Sequence, residues 1–182
     1  MKYETKSITL KDGRQALLRA PCAGDAAEMV AYLQKACGET DYLARYPEEM
    51  EYTVKGETAY LQNTLEDLNS LMIVCMVEGK IAGNCQIIFM NSMKTRHRAA
   101  VMIGLLKEYW GVGIGTALFA EMIETARQRE GVCQLELEMI EGNERAFALY
   151  RKMGFEVMGE HPDAFRLKDG SSRKAIFMRK PL

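Results

Sequence analysis

Three glycines alternate in the segment YWGVGIGTALF, at Gly111, Gly113 and Gly115, directly before a run with helical spacing. Glycine inside a regular element costs roughly 0.5–1 kcal/mol relative to alanine, so a cluster of glycines needs a compensating role. Backbone N–H groups at a helix start are unpaired and lie at the positive end of the helix dipole, and the lack of Cβ atoms lets an anion approach them. The segment therefore predicts a phosphate-binding turn, with a plain tight turn as the alternative.

Two widespread phosphate motifs do not fit this segment. A dinucleotide-binding turn needs a third glycine at the position of Thr116, and residues 107–110 separate the preceding strand from the turn. A P-loop ends in Gly-Lys-Ser/Thr, and no lysine follows Gly115. A nucleotide- or NAD-binding domain is therefore disfavoured.

A second group of polar residues lies downstream, in EGNERAFALYRKMGF. Asn143 and Tyr150 are separated by two helical turns and so lie on one face of the predicted helix. Asn143 stands where this helix begins, and asparagine is a favoured N-cap, so capping and ligand contact are both compatible with its position.

Taken together, the two segments resemble the GNAT superfamily of acyl-CoA-dependent N-acetyltransferases. The glycine segment is similar to the family's R/Q-x-x-G-x-G/A motif, with Trp110 in the place of the usual Arg or Gln, so a basic phosphate contact is missing or supplied from elsewhere. The later segment is similar to N-x-x-A-x-x-L-Y-x-K-x-G-F, matched by Asn143, Ala146, Leu149, Tyr150, Lys152, Gly154 and Phe155. One helix and one strand separate the motifs, as the family requires.

The resemblance implies direct transfer of an acetyl group from acetyl-CoA, without a metal, to a primary amine of a small molecule or peptide. Tyr150 is the implied general acid, with a core aromatic beside Phe147 and Met153 as the alternative; a phenol, with a pKa near 10, carries its proton at neutral pH. A backbone N–H in residues 104–106 is implied to polarise the thioester carbonyl. The residues implied to bind the cofactor are Leu105, Leu106, Trp110, Gly111, Val112, Gly113, Ile114, Gly115, Thr116 and Asn143.

The general base has more than one candidate. The segment QLELEM places Glu136 and Glu138 on one face of a strand. Glu138, five positions before Asn143, is similar in placement to the base of the ribosomal-protein alanine acetyltransferases and is preferred. Glu136, a water chain, or purely solvated carboxylates remain alternatives, and His97 is interpreted as part of a polar turn.

Composition limits the class of protein. The 182 residues are 48% hydrophobic and 27% charged with a net charge of −1, which is typical of a globular protein and gives no general attraction to nucleic acid or membranes. The five cysteines are scattered without CxxC spacing, which indicates reduced thiols rather than disulfides or a zinc site. The expected location is cytoplasmic.

The element order predicts a single α+β domain over residues 1–182, with a mixed, mostly antiparallel twisted sheet and helices on both faces. A crossover helix makes the strands over 99–106 and 132–140 parallel neighbours. The other predicted elements are a hairpin over 7–19, helices over 23–37, about 60–69, 116–129 and 143–153, and strands over 71–77, 81–90, 154–160 and 174–180. Asp25 and Glu28 are interpreted as a capping pair for the first of these helices.

The loop over residues 38–52 is expected to line the acceptor side. Its acidic residues (Glu39, Asp41, Glu48, Glu49, Glu51) and tyrosines (Tyr42, Tyr46, Tyr52) suit a cationic amine, with an ordinary solvated loop as the alternative. A non-catalytic acyl-CoA-binding or sensor module of the same fold is the competing function. A homodimer is compatible with the resemblance.

Overall fold

A computed structural model describes residues 1, 3–49 and 53–182, so Glu51 and Tyr52 of the predicted acceptor loop lie outside the described residues. The helices are α1 (Ala26–Gly38), α2 (Val54–Glu66), α3 (Ile114–Arg127) and α4 (Glu144–Lys152). The strands are β1 (Lys6–Thr9), β2 (Gln15–Arg19), β3 (Ser70–Val77), β4 (Lys80–Phe89), β5 (Arg98–Leu105), β6 (Gln134–Ile140), β7 (Glu156–Arg166) and β8 (Ser172–Pro181).

The eight strands form one sheet in the order β1-β2-β3-β4-β5-β6-β8-β7. Every neighbouring pair is antiparallel except β5 and β6, which run parallel on either side of the crossover through α3. The predicted mixed sheet and its parallel pair are therefore confirmed. This pair is the point from which the candidate site is built.

Helices cover both faces of the sheet, as predicted. Asn84 and Gln86 of β4 accept hydrogen bonds from tyrosines of α1 and α2, while Cys85 between them contacts the backbone of α3. Since neighbouring side chains of a strand point to opposite faces, α1 and α2 cover one face and α3 covers the other. β3 is buried along its whole length because both of its faces are covered.

The first helix begins later than predicted. A 3-10 turn over Ala23–Asp25 precedes α1, and the Asp25 carboxylate accepts from the Cys22 N–H at the start of this turn at 2.7 Å. The same carboxylate holds Arg19 through two contacts of 2.7 Å, and Glu28 accepts from the Ile81 N–H at 2.6 Å. The predicted capping pair is wrong for α1, because the Asp25 side chain makes no cap bond to this helix and Glu28 bonds to β4.

The second helix also differs from its predicted bounds. It begins at Val54, where Thr53 Oγ1 accepts from the Gly56 N–H at 3.0 Å, and ends at Glu66. Leu68, expected on its apolar face, lies beyond its end and is 73% exposed. The helix was predicted to begin later because glycine is a poor helix former, and Gly56 therefore argues against a helix at its true start.

The last hairpin is longer than predicted, since β7 continues to Arg166. A register shift between His161 and Phe165, with Asp163 at φ 50°, lets the strand pass Pro162. A proline in a strand is tolerated at an edge or a bulge, and β7 is an edge strand.

Candidate active site

The parallel strands β5 and β6 separate along their length. Their pairing begins at Arg98↔Gln134 and ends at Ala100↔Glu136, although β5 continues to Leu105 and β6 to Ile140. Both unpaired ends line a cavity of about 850 Å³. The gap therefore leaves backbone hydrogen-bonding groups of the sheet facing a space large enough for a small-molecule ligand.

The backbone of β5 determines which groups face this gap. The Leu106 N–H donates to the Ala82 carbonyl of β4 at 3.0 Å, so it is not available to a ligand, and Leu106 does not line the cavity. Alternate residues of a strand present their backbone groups to opposite edges. Leu105 therefore turns its N–H toward the gap, and within residues 104–106 only this N–H fits the predicted role in polarising a carbonyl.

The glycine turn presents a row of unpaired donors. Gly111 and Gly113 have φ of 84° and 105°, a backbone conformation that residues other than glycine rarely adopt. The first bond of α3 runs from the Ala117 N–H to the Gly113 carbonyl at 3.1 Å. The six N–H groups of residues 111–116 have no acceptor within residues 1, 3–49 and 53–182. This row supports the anion-binding interpretation over a plain turn.

Gly115 serves a different purpose from the other two glycines. A Cβ at this position would lie 2.8 Å from Leu149 Cδ2. Gly115 therefore allows the close packing of α3 against the Leu149 side chain of α4, rather than shaping the turn itself. The Val112 carbonyl accepts from the Lys11 N–H at 2.9 Å and its side chain does not line the cavity, so only its backbone N–H is left for the predicted contact with an anion.

The remaining predicted cofactor residues do share the cavity. Its lining includes Leu105, Trp110, Gly111, Gly113, Ile114, Gly115, Thr116 and Asn143. The Trp110 indole N–H donates to the Leu105 carbonyl at 3.1 Å, which fixes the turn to the end of β5. Asn143 Oδ1 accepts from the Ala146 N–H at 3.1 Å, so the capping role of Asn143 is confirmed.

Two cations that no sequence motif indicated flank the glycine turn. The Arg145 guanidinium lies 5.1 Å from the centre of the Trp110 ring, and a Cβ on Gly111 would be 3.1 Å from its Nη2. The Lys11 side chain passes 3.6 Å from the Cβ position of Gly113. Neither has a carboxylate partner among the residues that the structure describes. The only sequence signal was the position of Arg145 in the first turn after Asn143.

Tyr150 lies on the α3 side of the cavity and is largely enclosed. Its ring contacts Phe119 edge to face, with 5.3 Å between the ring centres, and packs near Phe155. Loss of solvent around the phenol raises the pKa of Tyr150 to about 12. No described group hydrogen-bonds to its hydroxyl, and the residue lines the cavity. Tyr150 is thus both a core aromatic and a protonated donor that is free to bond a ligand.

The two candidate carboxylates have different environments. Arg98 Nη1 lies 3.1 Å from Glu136 Oε2, and Gln134 Nε2 donates to Oε1 at 2.6 Å. Glu138 also lines the cavity but is exposed, and nothing in the described part of the chain bonds to its carboxylate. Glu138 is therefore the carboxylate that is available to a ligand. His97 does not line the cavity, and its carbonyl accepts from the Cys133 N–H at 2.9 Å.

Comparison with known proteins agrees with this geometry. The sequence model of the Acetyltransferase (GNAT) family matches residues 30–155. The chain belongs to the GNAT family. The match includes the glycine turn, the gap between β5 and β6, and α4 with Tyr150.

Relatives of this GNAT protein include enzymes with named substrates. It is 27% identical over 106 residues to the L-amino acid N-acetyltransferase AaaT of Escherichia coli K12, an alignment that covers 58% of this chain and 65% of AaaT. A GNAT-family acetyltransferase from Streptococcus pneumoniae has a TM-score of 0.85 at 28% identity, covering 92% of this chain and 99% of that one. The yncA protein of Salmonella typhimurium was solved with acetyl-CoA. It shares the fold with a TM-score of 0.77 at 19% identity, and the match covers 91% of this chain and 92% of that one.

The acceptor loop of this GNAT protein does not use its acids as predicted. Glu39 accepts from the Lys107 N–H at 2.6 Å, Glu48 lies 2.7 Å from Lys168, and Glu49 accepts from the Tyr46 N–H at 2.7 Å. The loop residues that line the cavity are Thr40, Tyr42, Leu43 and Ala44. The described residues of the loop, 38–49, therefore reach the cavity with an aromatic ring, a hydroxyl and aliphatic groups rather than with carboxylates.

Neither a metal site nor a membrane span is present in the described residues. Within residues 1, 3–49 and 53–182, no three His, Cys, Asp or Glu side chains are grouped to hold a metal ion. In the same part of the chain, no helix combines the length and apolar character needed to cross a bilayer.

Proposed function

We propose that this GNAT protein is an N-acetyltransferase that transfers an acetyl group from acetyl-CoA to a primary amine, by direct attack while both substrates are bound. Residues 1–182 are assigned to this one domain. The observation that carries the proposal is the meeting of three kinds of group at one gap in the sheet. These are the unpaired amides of residues 111–116, the Leu105 N–H, and the side chains of Tyr150 and Glu138.

The glycine turn is assigned to the diphosphate of acetyl-CoA. Six adjacent N–H donors at the start of a 14-residue helix suit an anion, and Gly111 and Gly113 leave room for its oxygen atoms. Arg145 and Lys11 add positive charge at the same place. The fit of these residues to a phosphate group does not require Arg or Gln at position 110.

The backbone of Leu105 is assigned to the thioester carbonyl. Negative charge develops on this oxygen as the amine attacks, and a fixed donor at the site stabilises that charge without reorganisation. The Leu105 N–H is held in place because β4 pairs with β5 and the Trp110 indole bonds to the carbonyl of the same residue.

Two side chains are assigned to proton transfer. Glu138 accepts a proton from the bound ammonium group, directly or through water, so that the nitrogen lone pair can form the new C–N bond. As the C–S bond breaks, the Tyr150 hydroxyl donates its proton to the departing thiolate sulfur, and the second proton that the nitrogen loses on becoming an amide passes through water to restore the phenol. Burial raises the pKa of Tyr150 to about 12, so the proton is present throughout the physiological range.

The competing function is an acyl-CoA-binding or sensor module without turnover. An assay that detects the free thiol of CoA released from acetyl-CoA distinguishes the two functions. It is run with and without a panel of primary amines. The enzyme proposal predicts release that depends on the amine, together with formation of the N-acetylated product. Binding of acetyl-CoA without amine-dependent release would favour the sensor module.

A further inference from the structure

The two sides of the cavity lie on opposite faces of the sheet. Tyr150 packs against Phe119 of α3 on one face. On the other face, Gln86 accepts a hydrogen bond from α2 and is paired with Met102 of β5. Residues that are paired across strands share a face, so the register that pairs Ala100 with Glu136 places Glu138 on the same face as Met102. The gap between β5 and β6 thus connects two sides of the cavity. We call the side of Tyr150 and α3 the donor side, and the side of Met102 and Glu138 the acceptor side.

The acceptor side is mainly apolar. Its wall comprises Tyr42, Leu43, Met102, Met158, Phe165 and Phe177. Phe177 of β8 is paired with Glu138 of β6, so the carboxylate that is unpaired among the described lining residues stands beside an aromatic ring. Such a wall binds an apolar body by removing its surface from water, and Glu138 complements a single positive charge.

The lining of the acceptor side holds no cation that could pair with a negative charge. Among the described residues that line the cavity, the only cations are Lys11 and Arg145, and both lie at the glycine turn. Arginines on the same face of the sheet lie outside the lining: Arg98 is paired with Glu136 at 3.1 Å, Arg179 is paired with Glu156 at 3.0 Å, and Arg173, opposite Phe165, donates to the Ser172 carbonyl at 3.0 Å. A carboxylate on the acceptor would be desolvated against apolar side chains without a cation in the lining.

We propose that the acceptor is a primary amine on an apolar or aromatic body that carries no acidic group next to the amine. This inference rests on the proposed acetyl transfer and narrows its substrate class. It disfavours free amino acids, whose carboxylate adjoins the amine, and polyamines, whose second ammonium would meet the apolar wall. A simple arylalkylamine and the N-terminus of a peptide with an apolar first residue share the favoured chemistry.

The test compares acceptors that differ in one group. Initial rates of CoA release are measured with 2-phenylethylamine, L-phenylalanine, L-phenylalaninamide and putrescine. We expect kcat/KM for phenylethylamine and phenylalaninamide to exceed that for phenylalanine and putrescine by at least about tenfold. A higher value for phenylalaninamide than for phenylethylamine would point to a peptide N-terminus as the source of the amine.

A second measurement tests whether a cation added to the acceptor side makes the protein accept an amine that carries a carboxylate. Met158 lines the cavity and is 47% exposed, so Met158→Arg places a cation on the acceptor side at little cost to folding. We expect this variant to raise the phenylalanine to phenylethylamine ratio of kcat/KM by about tenfold. Val157→Arg is the matched control, because Val157 is 43% exposed and does not line the cavity.

The possible failures are distinguishable. Equal or faster acetylation of phenylalanine or putrescine by the unaltered protein would overturn the substrate class and leave acetyl transfer intact. An unchanged ratio in Met158→Arg would also count against the proposed acceptor side. Absence of release with every amine, while acetyl-CoA binds, would overturn the proposed function and the substrate class with it.

Discussion

The guanidinium of Arg145 lies over the indole of Trp110, with 5.1 Å between the guanidinium carbon and the ring centre. Trp110 occupies the position where the GNAT motif has Arg or Gln, and Arg145 supplies a cation to the same turn from α4. A positive charge therefore lies at the turn although position 110 itself carries none. Stacking also orders the long side chain, because a cation over an aromatic face is attracted by the ring.

Replacing Arg145 with alanine should weaken acetyl-CoA binding. The variant loses a cation beside the free amides, so we expect the Kd for acetyl-CoA to rise about tenfold, with less effect on kcat. Titration calorimetry and steady-state kinetics measure the two quantities. Lys152→Ala is the control, since Lys152 lies on the same helix but does not line the cavity. An unchanged Kd in Arg145→Ala would remove this residue from the donor site.

Replacing Gly113 with alanine should weaken acetyl-CoA binding as well as stability. Gly113 has φ 105°, and forcing a side chain into left-handed backbone costs roughly 1–2 kcal/mol. Gly170→Ala is matched, because Gly170 has φ 83° and nothing within 4 Å of its Cβ position, and it does not line the cavity.

Denaturant unfolding and acetyl-CoA titration are measured for both glycine variants. We expect a similar loss of stability in each and a weakened acetyl-CoA affinity only in Gly113→Ala. Equal affinities in the two variants would contradict the role of the turn as an anion cradle.

Replacing Tyr150 with phenylalanine should slow turnover without weakening the donor complex. The hydroxyl is the proposed proton donor to the thiolate, so kcat is expected to fall by about 10²-fold while the Kd for acetyl-CoA stays constant. A variant with full kcat would show that another group protonates the sulfur.

The raised pKa of Tyr150 also predicts a change in alkaline stability. The buried phenol ionises near pH 12, whereas in the unfolded chain it ionises near its ordinary value of 10.0. Above pH 10 the unfolded state therefore releases its proton first, and the free energy of unfolding decreases as the pH rises toward 12. Denaturant titrations over this range should show a smaller decrease for Tyr150→Phe than for the unaltered protein.

Replacing Glu138 with glutamine should lower kcat by about 10²-fold. The amide keeps the shape of the side chain but cannot accept the ammonium proton. Glu136→Gln is the comparison, because Arg98 already holds that carboxylate at 3.1 Å, and its kcat should stay close to that of the unaltered protein. A fall in kcat in Glu136→Gln alone would exchange the roles of the two residues.

The sequence predicted the parallel strand pair, the helices on both faces and the turn before α3, because each rests on local patterns of apolar residues and glycine. It missed Arg145 and Lys11, which reach the turn from α4 and from the segment before β2. It also assigned the loop acids to the acceptor, while backbone N–H groups and Lys168 bind Glu39, Glu48 and Glu49 in the fold. Partners distant along the chain leave no periodic signal, so such contacts require the tertiary structure.

Binding of CoA at the glycine turn is measured by titration calorimetry with acetyl-CoA, with NAD and ATP as controls. We expect saturable binding of acetyl-CoA at one site and no comparable binding of either nucleotide. Absence of acetyl-CoA binding at millimolar concentration, or equal binding of NAD, would contradict the assignment of the free amides of residues 111–116 to the cofactor.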